Sequence, residues 1–170
     1  MESFKTYATF ITHSAHRDLF CTGHLVEEWS AAYPMLFDSQ DTQIALNQRH
    51  LGLHYYEWFA AILLYHTAGL LSLVEAYAYK SHPRKRKVLE SLMTGEVLDF
   101  IASRGISSVT QCPDLLVYSA DYKDWFFCEV KSPRDKLRES QIQFFEELMH
   151  VTGKEIRIVR FQFLGVQNPT

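Results

Sequence analysis

The chain has 170 residues, 47% of them hydrophobic and 22% charged, which is the composition of one ordinary globular domain with its own core. Its net charge of −3 excludes a uniformly basic nucleic-acid binder. The three cysteines form no CxxC pair, which argues against a structural zinc site and a four-thiolate iron–sulfur cluster. The first residues lack the basic segment and apolar run of a secretion signal, so a reduced, cytoplasmic (intracellular) protein is expected.

The N-terminal third of the sequence has the pattern of helices and loops. Apolar residues at helical spacing predict a helix over residues 16–33, which Pro34 would end. Ser39 or Asp41 could cap a short helix after it. Residues 1–52 are therefore expected to form a helical extension that packs on the domain that comes after it.

A long apolar segment comes next and predicts a helix from about Leu53 to Tyr79. Its middle, residues 58–74, has 17 positions without a formal charge, which is near the lower limit for crossing a bilayer. Acidic residues, Glu57 and Glu75, flank this stretch where a membrane span would have basic or aromatic anchors. The sequence therefore predicts a helix buried inside a protein and no membrane span.

The second half of the chain changes from helical to alternating periodicity. The predicted elements are, in order, helices over 86–93 and 95–103, strands over 114–119 and 125–131, a helix over 135–151 and a strand over 155–163. A short polar segment joins the first two strands, which indicates an antiparallel hairpin. This order predicts an α/β fold for residues 53–166, in which helices flank a small mixed sheet.

The hairpin brings together residues that could bind a metal ion. Residues two apart in a strand face the same way, so Glu129 and Lys131 share one face while Val130 points to the other. Asp114 opens the partner strand and can lie beside Glu129. Two nearby carboxylates raise each other's pKa, and a divalent cation relieves this conflict. Mg²⁺ suits such a site because it prefers carboxylate oxygens and water, and Lys131 could orient that water.

A simple cross-strand salt bridge would explain an isolated EVK. The interpretation as a metal site therefore depends on the longer run of residues around it. The segments CPDLLVY, FFCEVKSPRDKL and ESQIQFFEEL resemble the VRR-NUC branch of the PD-(D/E)XK nucleases, which includes the nuclease domain of the Fanconi-associated nuclease. The resemblance covers residues 113–165, and more loosely extends back to residue 53. It implies a restriction-endonuclease-like core.

The resemblance also implies a role for each residue that matches the family motif. Asp114 and Glu129 would be metal ligands, and the backbone carbonyl of Val130 would be a third. Lys131 would be the catalytic lysine. Gln141, at the start of the next helix, would contact waters of the metal site or the DNA backbone.

Members of this family use a further glutamate on a helix before the hairpin. Glu57 is the first choice for that position. Glu75 lies 18 residues further on, which is five turns or about 27 Å along one helix, so both cannot reach one metal ion. Glu90 and Glu96 are nearer in sequence but lie on segments that look peripheral. The sequence does not decide among these four.

Basic side chains concentrate around this motif although the whole chain is acidic. Residues 1–79 have three basic and eight acidic side chains, whereas residues 80–138 have eleven and eight. A solvated turn would explain KSHPRKRK by itself, but beside a phosphodiesterase motif contact with phosphates is favoured. The residues expected to contact nucleic acid are Arg84, Lys85, Arg86, Lys87, Arg134, Lys136 and Arg138, with Lys80 beside the first group.

Together these patterns predict a deoxyribonuclease that depends on Mg²⁺ or Mn²⁺ and cuts junctions, flaps or nicked DNA. A short enzyme of this kind could form a homodimer to cut both strands. The alternative is a catalytically silent nucleic-acid-binding or interaction subunit of a defence or mobile-element system, against which the intact Asp114, Glu129 and Lys131 argue. DNA versus RNA, and endonuclease versus exonuclease, stay open.

Overall fold

The computed structural model of the protein describes residues 4–74, 77, 82–105 and 112–164, which form a five-stranded mixed sheet with helices on both faces. The strands are β1 (Lys5–Thr12), β2 (Leu71–Val74), β3 (Leu115–Tyr118), β4 (Trp125–Lys131) and β5 (Ile156–Phe163). Their order is β1-β5-β4-β3-β2; β1, β5 and β4 are parallel, and β3 is antiparallel to both of its neighbours. The predicted α/β fold class, a small mixed sheet flanked by helices, is confirmed.

Two hydrophobic layers enclose the sheet. The helices are α1 (Ser14–Thr22), α2 (His24–Ala32), α3 (Ser39–Gln48), α4 (Tyr55–Ala68), α5 (Pro83–Leu92), α6 (Gly95–Gly105) and α7 (Glu139–Thr152), with a 3-10 turn at Arg49–Leu51. Helix α4 packs in one layer with Cys128 and Val130 of β4. Helices α5, α6 and α7 pack in the other layer with Phe127 of the same strand. Successive residues of β4 therefore face opposite layers, as strand geometry requires.

Strands β3 and β4 form the predicted antiparallel hairpin, in which Leu115 lies opposite Cys128. The connecting turn is held by the Ser119 N–H, which donates to the Asp124 carbonyl at 2.8 Å. The Ser119 hydroxyl donates to Oδ1 of Asp121 at 2.7 Å. These polar residues fix the conformation of the turn, and the turn then determines the register of the hairpin.

Strand β1 was not predicted, because the first fifty residues were expected to be helices and loops. Its sequence, KTYATFIT, is rich in β-branched and aromatic residues, a composition that favours a strand. It pairs in parallel with β5, with Thr9 opposite Arg160. The helices after it share the α4 layer, where Trp29 stacks on Phe59 at a centroid distance of 5.9 Å. The division into units at residue 52 stays a prediction, but the sheet itself crosses that position.

The predicted helix over residues 53–79 was wrong in its second half. Helix α4 ends at Ala68 because Gly69 adopts a left-handed conformation with φ 66°. The Gly69 N–H donates back to the Tyr65 carbonyl at 2.8 Å, and the Leu70 N–H donates to the Leu64 carbonyl at 3.5 Å. Leu71–Val74 then forms β2 beside β3. No helix in the described ranges is long and apolar enough to cross a membrane.

The predicted helix over residues 16–33 is two helices. Gly23, with φ 94°, ends α1 and begins α2, because a left-handed residue cannot continue an α-helix. Helix α3 is capped by Asp38, which was not the residue predicted to cap it. The Asp38 side chain accepts a hydrogen bond from the Asp41 N–H at 2.9 Å, and the Asp41 side chain accepts one from the Asp38 N–H at 3.4 Å.

Candidate active site

The hairpin places Asp114 and Glu129 next to each other on the face that α7 covers. Continuing the register of Leu115 and Cys128 by one residue puts Asp114 opposite Glu129. Oδ2 of Asp114 accepts a hydrogen bond from the Val130 N–H at 2.7 Å, which fixes the carboxylate against β4. Tyr77, a residue that sequence reasoning missed, donates its hydroxyl to the Pro113 carbonyl at 2.8 Å. Asp114 is therefore held from both sides.

Two further side chains, those of Lys131 and Gln141, complete a buried cluster with Glu129. Nζ of Lys131 lies 2.8 Å from Oε1 of Glu129, and Nε2 of Gln141 donates to the same oxygen at 2.8 Å. Glu129 and Lys131 are only 2% and 3% exposed, and Gln141 is also buried. Asp135, to which the sequence assigned no role, lies 3.5 Å from Nζ of Lys131. We call Asp114, Glu129, Lys131 and Gln141 the carboxylate–lysine site.

The second oxygen of Glu129 distinguishes this cluster from a closed ion pair. Lys131 and Gln141 both contact Oε1, whereas Oε2 is buried and accepts no hydrogen bond from the described residues. Burial raises the pKa of Glu129, although the charge and hydrogen bond of Lys131, the hydrogen bond from Gln141 and the nearby backbone N–H of Asp114 act the other way. A buried carboxylate oxygen without a donor, beside Asp114, fits a cation ligand.

The start of α7 brings positive groups to the same end of the sheet. Gln141 lies in its first turn, and Oε1 of Gln141 accepts from the backbone N–H of Arg138 at 3.1 Å. The side chains of Arg134, Lys136 and Arg138, between β4 and α7, are exposed. Because the N-terminus of a helix carries a partial positive charge, this end of the sheet suits an anion such as a phosphate.

The two remaining predicted metal ligands have different positions. The N–H of Val130 is bound to Asp114, and the Val130 side chain packs in the α4 layer. Glu57 lies in the first turn of α4 and is half-buried. Helix α4 covers the sheet face opposite the one that carries Glu129, so Glu57 would have to approach the metal around the end of the sheet. The roles of Glu57 and of the Val130 carbonyl stay predictions.

The other candidates for the upstream acid lie on the surface or outside the described residues. Glu90 is exposed on α5 and pairs with Arg86. Glu96 is exposed in the first turn of α6. Glu75 and the basic residue Lys80 fall outside the described residues. Exposed positions of this kind do not require a metal ion to neutralise them.

The four basic residues at the start of α5, all predicted to contact nucleic acid, differ in burial and in their partners. Lys85 is 3% exposed, and its Nζ lies 2.7 Å from the Val74 carbonyl and 3.0 Å from Oδ1 of Asp41. Nη2 of Arg84 lies 2.7 Å from Oδ2 of Asp41. Burial removes Lys85 from any phosphate, and Arg84 already has an anionic partner. Lys87 is exposed, as expected for a residue that contacts DNA.

Asp41 is the centre of a second charged cluster, on the side of the molecule that joins α3 to α5. Nε2 of His82 lies 3.3 Å from a carboxylate oxygen of both Asp38 and Asp41. Ligand atoms of these three residues lie within 4.8 Å of one another, close enough to share one metal ion. The two carboxylates also face the cations of Arg84 and Lys85, which balance their charge. We call these five residues the ion-pair network.

Similarity to known proteins is found at the level of structure and is distant. No protein-family model and no curated protein matches the sequence. Among solved structures, the chain is similar to a crystal structure of paFAN1 bound to 2nt 5′flap DNA with gap, with a TM-score of 0.39 and 15% sequence identity. The alignment covers 92% of this chain and 32% of that chain, so this chain spans about a third of the length of that one. The chemistry assigned to this chain rests on its own residues.

Proposed function

We propose that the protein is a metal-dependent nuclease that hydrolyses phosphodiester bonds of DNA at the carboxylate–lysine site. The observation that carries this proposal is Oε2 of Glu129, which is buried without a hydrogen-bond donor among the described residues and lies beside Asp114. Such an oxygen costs free energy unless something positive binds it. Mg²⁺ or Mn²⁺ satisfies it, since carboxylate oxygens are the ligands that these ions prefer.

Each residue of the site has a defined task in this proposal. Asp114 and Glu129 would hold the ion, which when bound polarises a phosphate and lowers the pKa of a water molecule. Hydrolysis joins the water oxygen to phosphorus, breaks the bond from phosphorus to one sugar oxygen, and leaves a proton on that oxygen. The ammonium of Lys131 stabilises the negative charge that develops on the phosphate. Gln141 orients Glu129 through its hydrogen bond at 2.8 Å.

The exposed cations beside the site support a backbone substrate. Arg134, Lys136 and Arg138 come directly after β4 and are exposed. Contacts with phosphates position a nucleic acid and carry no base information directly, so recognition by the shape of a junction, flap or nick is proposed over recognition of a base sequence. A homodimer that cuts both strands is part of the proposal, and sedimentation with and without DNA tests it.

The experiment is a cleavage assay with branched, flapped, nicked, single-stranded and plain duplex DNA, together with an RNA duplex. We expect cleavage of the branched or nicked substrates in Mg²⁺ or Mn²⁺, none in EDTA, and recovery after the metal is restored. Asp114→Ala should abolish it. Asp124→Asn is the matched control, because Asp124 is an exposed acid at the far end of the same hairpin.

Three outcomes separate the alternatives. Undiminished cutting by Asp114→Ala would remove the site assignment. DNA binding by the wild-type protein without cleavage in either metal would favour the silent nucleic-acid-binding subunit. Loss of activity in Glu57→Gln with unchanged folding would add Glu57 to the site, whereas unchanged activity would exclude it.

A further inference from the structure

The last part of β5 is buried on one face and open on the other. Val159 and Phe161 are buried in the layer beneath α4. On the opposite face Ile158 is buried, but Arg160 and Gln162 are only half-buried. The helical cover on the α7 face therefore ends after Ile158. Beyond that residue, no helix of the described ranges covers a strip of the sheet on the face that carries the carboxylate–lysine site.

This strip begins at the site itself. Lys131 is the parallel partner of Arg160, and Thr9 of β1 lies on the other side of Arg160. Partner residues on neighbouring strands point to the same face, and the strands are about 4.8 Å apart. Arg160 thus lies directly between Lys131 and the exposed Thr9. A side chain of its length can reach a group held near Lys131.

The charges on the two sides of Lys131 are opposite. Towards β3, Asp114 lies opposite Glu129, so a second phosphate would meet a carboxylate there. Towards β5, the first side chain is the guanidinium of Arg160. A guanidinium can donate two parallel hydrogen bonds to a phosphate, whereas a carboxylate repels it. A DNA strand with one phosphate at Lys131 is therefore favoured to continue across β5.

We propose, on the basis of the nuclease function proposed above, that Arg160 binds the backbone phosphate next to the scissile one. It directs the DNA strand from the carboxylate–lysine site across β5 towards Thr9 on β1. Gln162, on the same face one step further along β5, lines the same path. Arg160 is thus a substrate-binding residue, and no step of the hydrolysis is assigned to it.

The test is fluorescence-anisotropy binding of a nicked DNA duplex in EDTA, from low to moderate salt, for wild type, Arg160→Gln and Arg160→Lys. Arg160→Gln should weaken binding about tenfold at low salt, since it removes a charged hydrogen bond. It should also reduce the slope of log affinity against log salt by about 0.9, the value for one neutralised phosphate. Arg160→Lys should keep the slope because it keeps the charge.

Arg157→Gln is the control, since Arg157 belongs to the same strand but stacks over Phe126 on the other face, 4.0 Å from the ring centroid. An Arg160→Gln protein with the slope of wild type and of the control overturns the inference, and so does an equal reduction of the slope in all three variants. Melting temperatures show which variants are folded. A loss of stability without the loss of a phosphate contact does not change the slope of log affinity against log salt. Because binding is measured without cleavage, a protein that cuts no DNA but shows the reduced slope in Arg160→Gln would refute the nuclease proposal and leave Arg160 as a contact to the DNA backbone beside Lys131.

Discussion

The carboxylate–lysine site and the ion-pair network are both buried clusters of acids and cations, but their cations are placed differently. In the network, the oxygens of Asp41 are divided between two cations, with Lys85 3.0 Å from Oδ1 and Arg84 2.7 Å from Oδ2. In the site, Lys131 and Gln141 share Oε1 of Glu129, and Oε2 has no donor among the described residues. Oδ1 of Asp41, like Oε2 of Glu129, accepts no hydrogen bond from the described residues, but it has the ammonium of Lys85 3.0 Å away. Each oxygen of Asp41 therefore faces a protein cation, whereas Lys131 and Gln141 both contact Oε1 of Glu129.

The electrostatics of the two acids differ in the same direction. Burial alone would raise the pKa of Asp41, but the charges and hydrogen bonds of Lys85 and Arg84 together outweigh it and lower that pKa. For Glu129 burial prevails over Lys131 and Gln141, and the pKa is raised. A network that lowers the pKa of its acid stabilises the fold. A site that raises it makes the ionised fold less stable, which is expected where a ligand has yet to bind.

The largest expected effect is on catalysis at Glu129. Glu129→Gln keeps the shape of the side chain and removes the anionic ligand, so the cleavage rate should fall at least about a hundredfold. The melting temperature should fall less than in Asp41→Asn, because the raised pKa of Glu129 indicates that folding disfavours its ionised form and because Lys131 keeps Asp135 at 3.5 Å. Single-turnover cleavage and thermal unfolding measure the two quantities. A variant that still cuts at the wild-type rate contradicts the site.

Asp41→Asn should have the converse effect. It leaves Lys85, which is 3% exposed, without its anionic partner, and breaking a buried pair in this way costs about 3–5 kcal/mol of the free energy of unfolding. Urea unfolding measures this loss, with the exposed Asp99→Asn as control. Cleavage per folded molecule should not change. Normal stability combined with an absence of metal-dependent cleavage would instead make the network the metal site.

The hairpin and its site could be predicted because both depend on local patterns. Alternation along β4 puts Glu129 and Lys131 on one face whatever the rest of the fold does. The polar turn between the strands then sets the register that brings Asp114 opposite Glu129. The end of α4 is locally encoded too, since Gly69 can adopt the left-handed conformation that ends a helix, but the uncharged residues after it suit a buried strand as well as a helix.

The features that sequence reasoning missed depend on contacts between distant segments. The burial of Lys85 depends on Asp41, and nothing in the basic run at the start of α5 shows which of its members meets that acid. The place of Arg160 beside Lys131 comes from the parallel pairing of β4 and β5. Parallel register is not fixed by a tight turn, so sequence patterns do not predict these neighbours.

The two clusters should also give the fold opposite responses to pH. Asp41 contributes stability that is present above its ordinary pKa of 3.8 and is lost as pH falls through its lowered pKa. Glu129 contributes stability that is fully present below its ordinary pKa of 4.5 and is lost as pH rises through its raised pKa. Each pKa unit corresponds to about 1.4 kcal/mol.

Urea unfolding between about pH 3 and pH 8 measures both contributions. Glu129→Gln should gain stability relative to wild type as pH rises above 4.5. As pH falls below 3.8, the free energy of unfolding of Asp41→Asn should decrease less than that of wild type. Parallel stability curves for wild type and Glu129→Gln would show that the pKa of Glu129 is not raised by the fold.

The smallest effect concerns the exposed cations near each cluster. Arg134, Lys136 and Arg138 lie beside the carboxylate–lysine site, and their replacement by alanine should reduce the salt slope of DNA binding by about 0.9 for each phosphate that is no longer neutralised. Arg86 and Lys87 follow Arg84 and Lys85 of the ion-pair network on α5, and Arg86 already pairs with Glu90. The double alanine variant of this pair should therefore reduce the slope by less than the value for two phosphates.

Anisotropy binding to a four-way junction in a Glu129→Gln background measures both slopes without cutting. Arg84 and Lys85 are left intact, because replacing them would weaken the fold through Asp41 and confuse a loss of stability with weaker phosphate binding. If the Arg86 and Lys87 variant changes the salt slope more than the variant of Arg134, Lys136 and Arg138, the DNA lies over α5. A DNA strand that runs from Lys131 across β5 would then have to be a second part of the DNA, separate from the part that contacts α5.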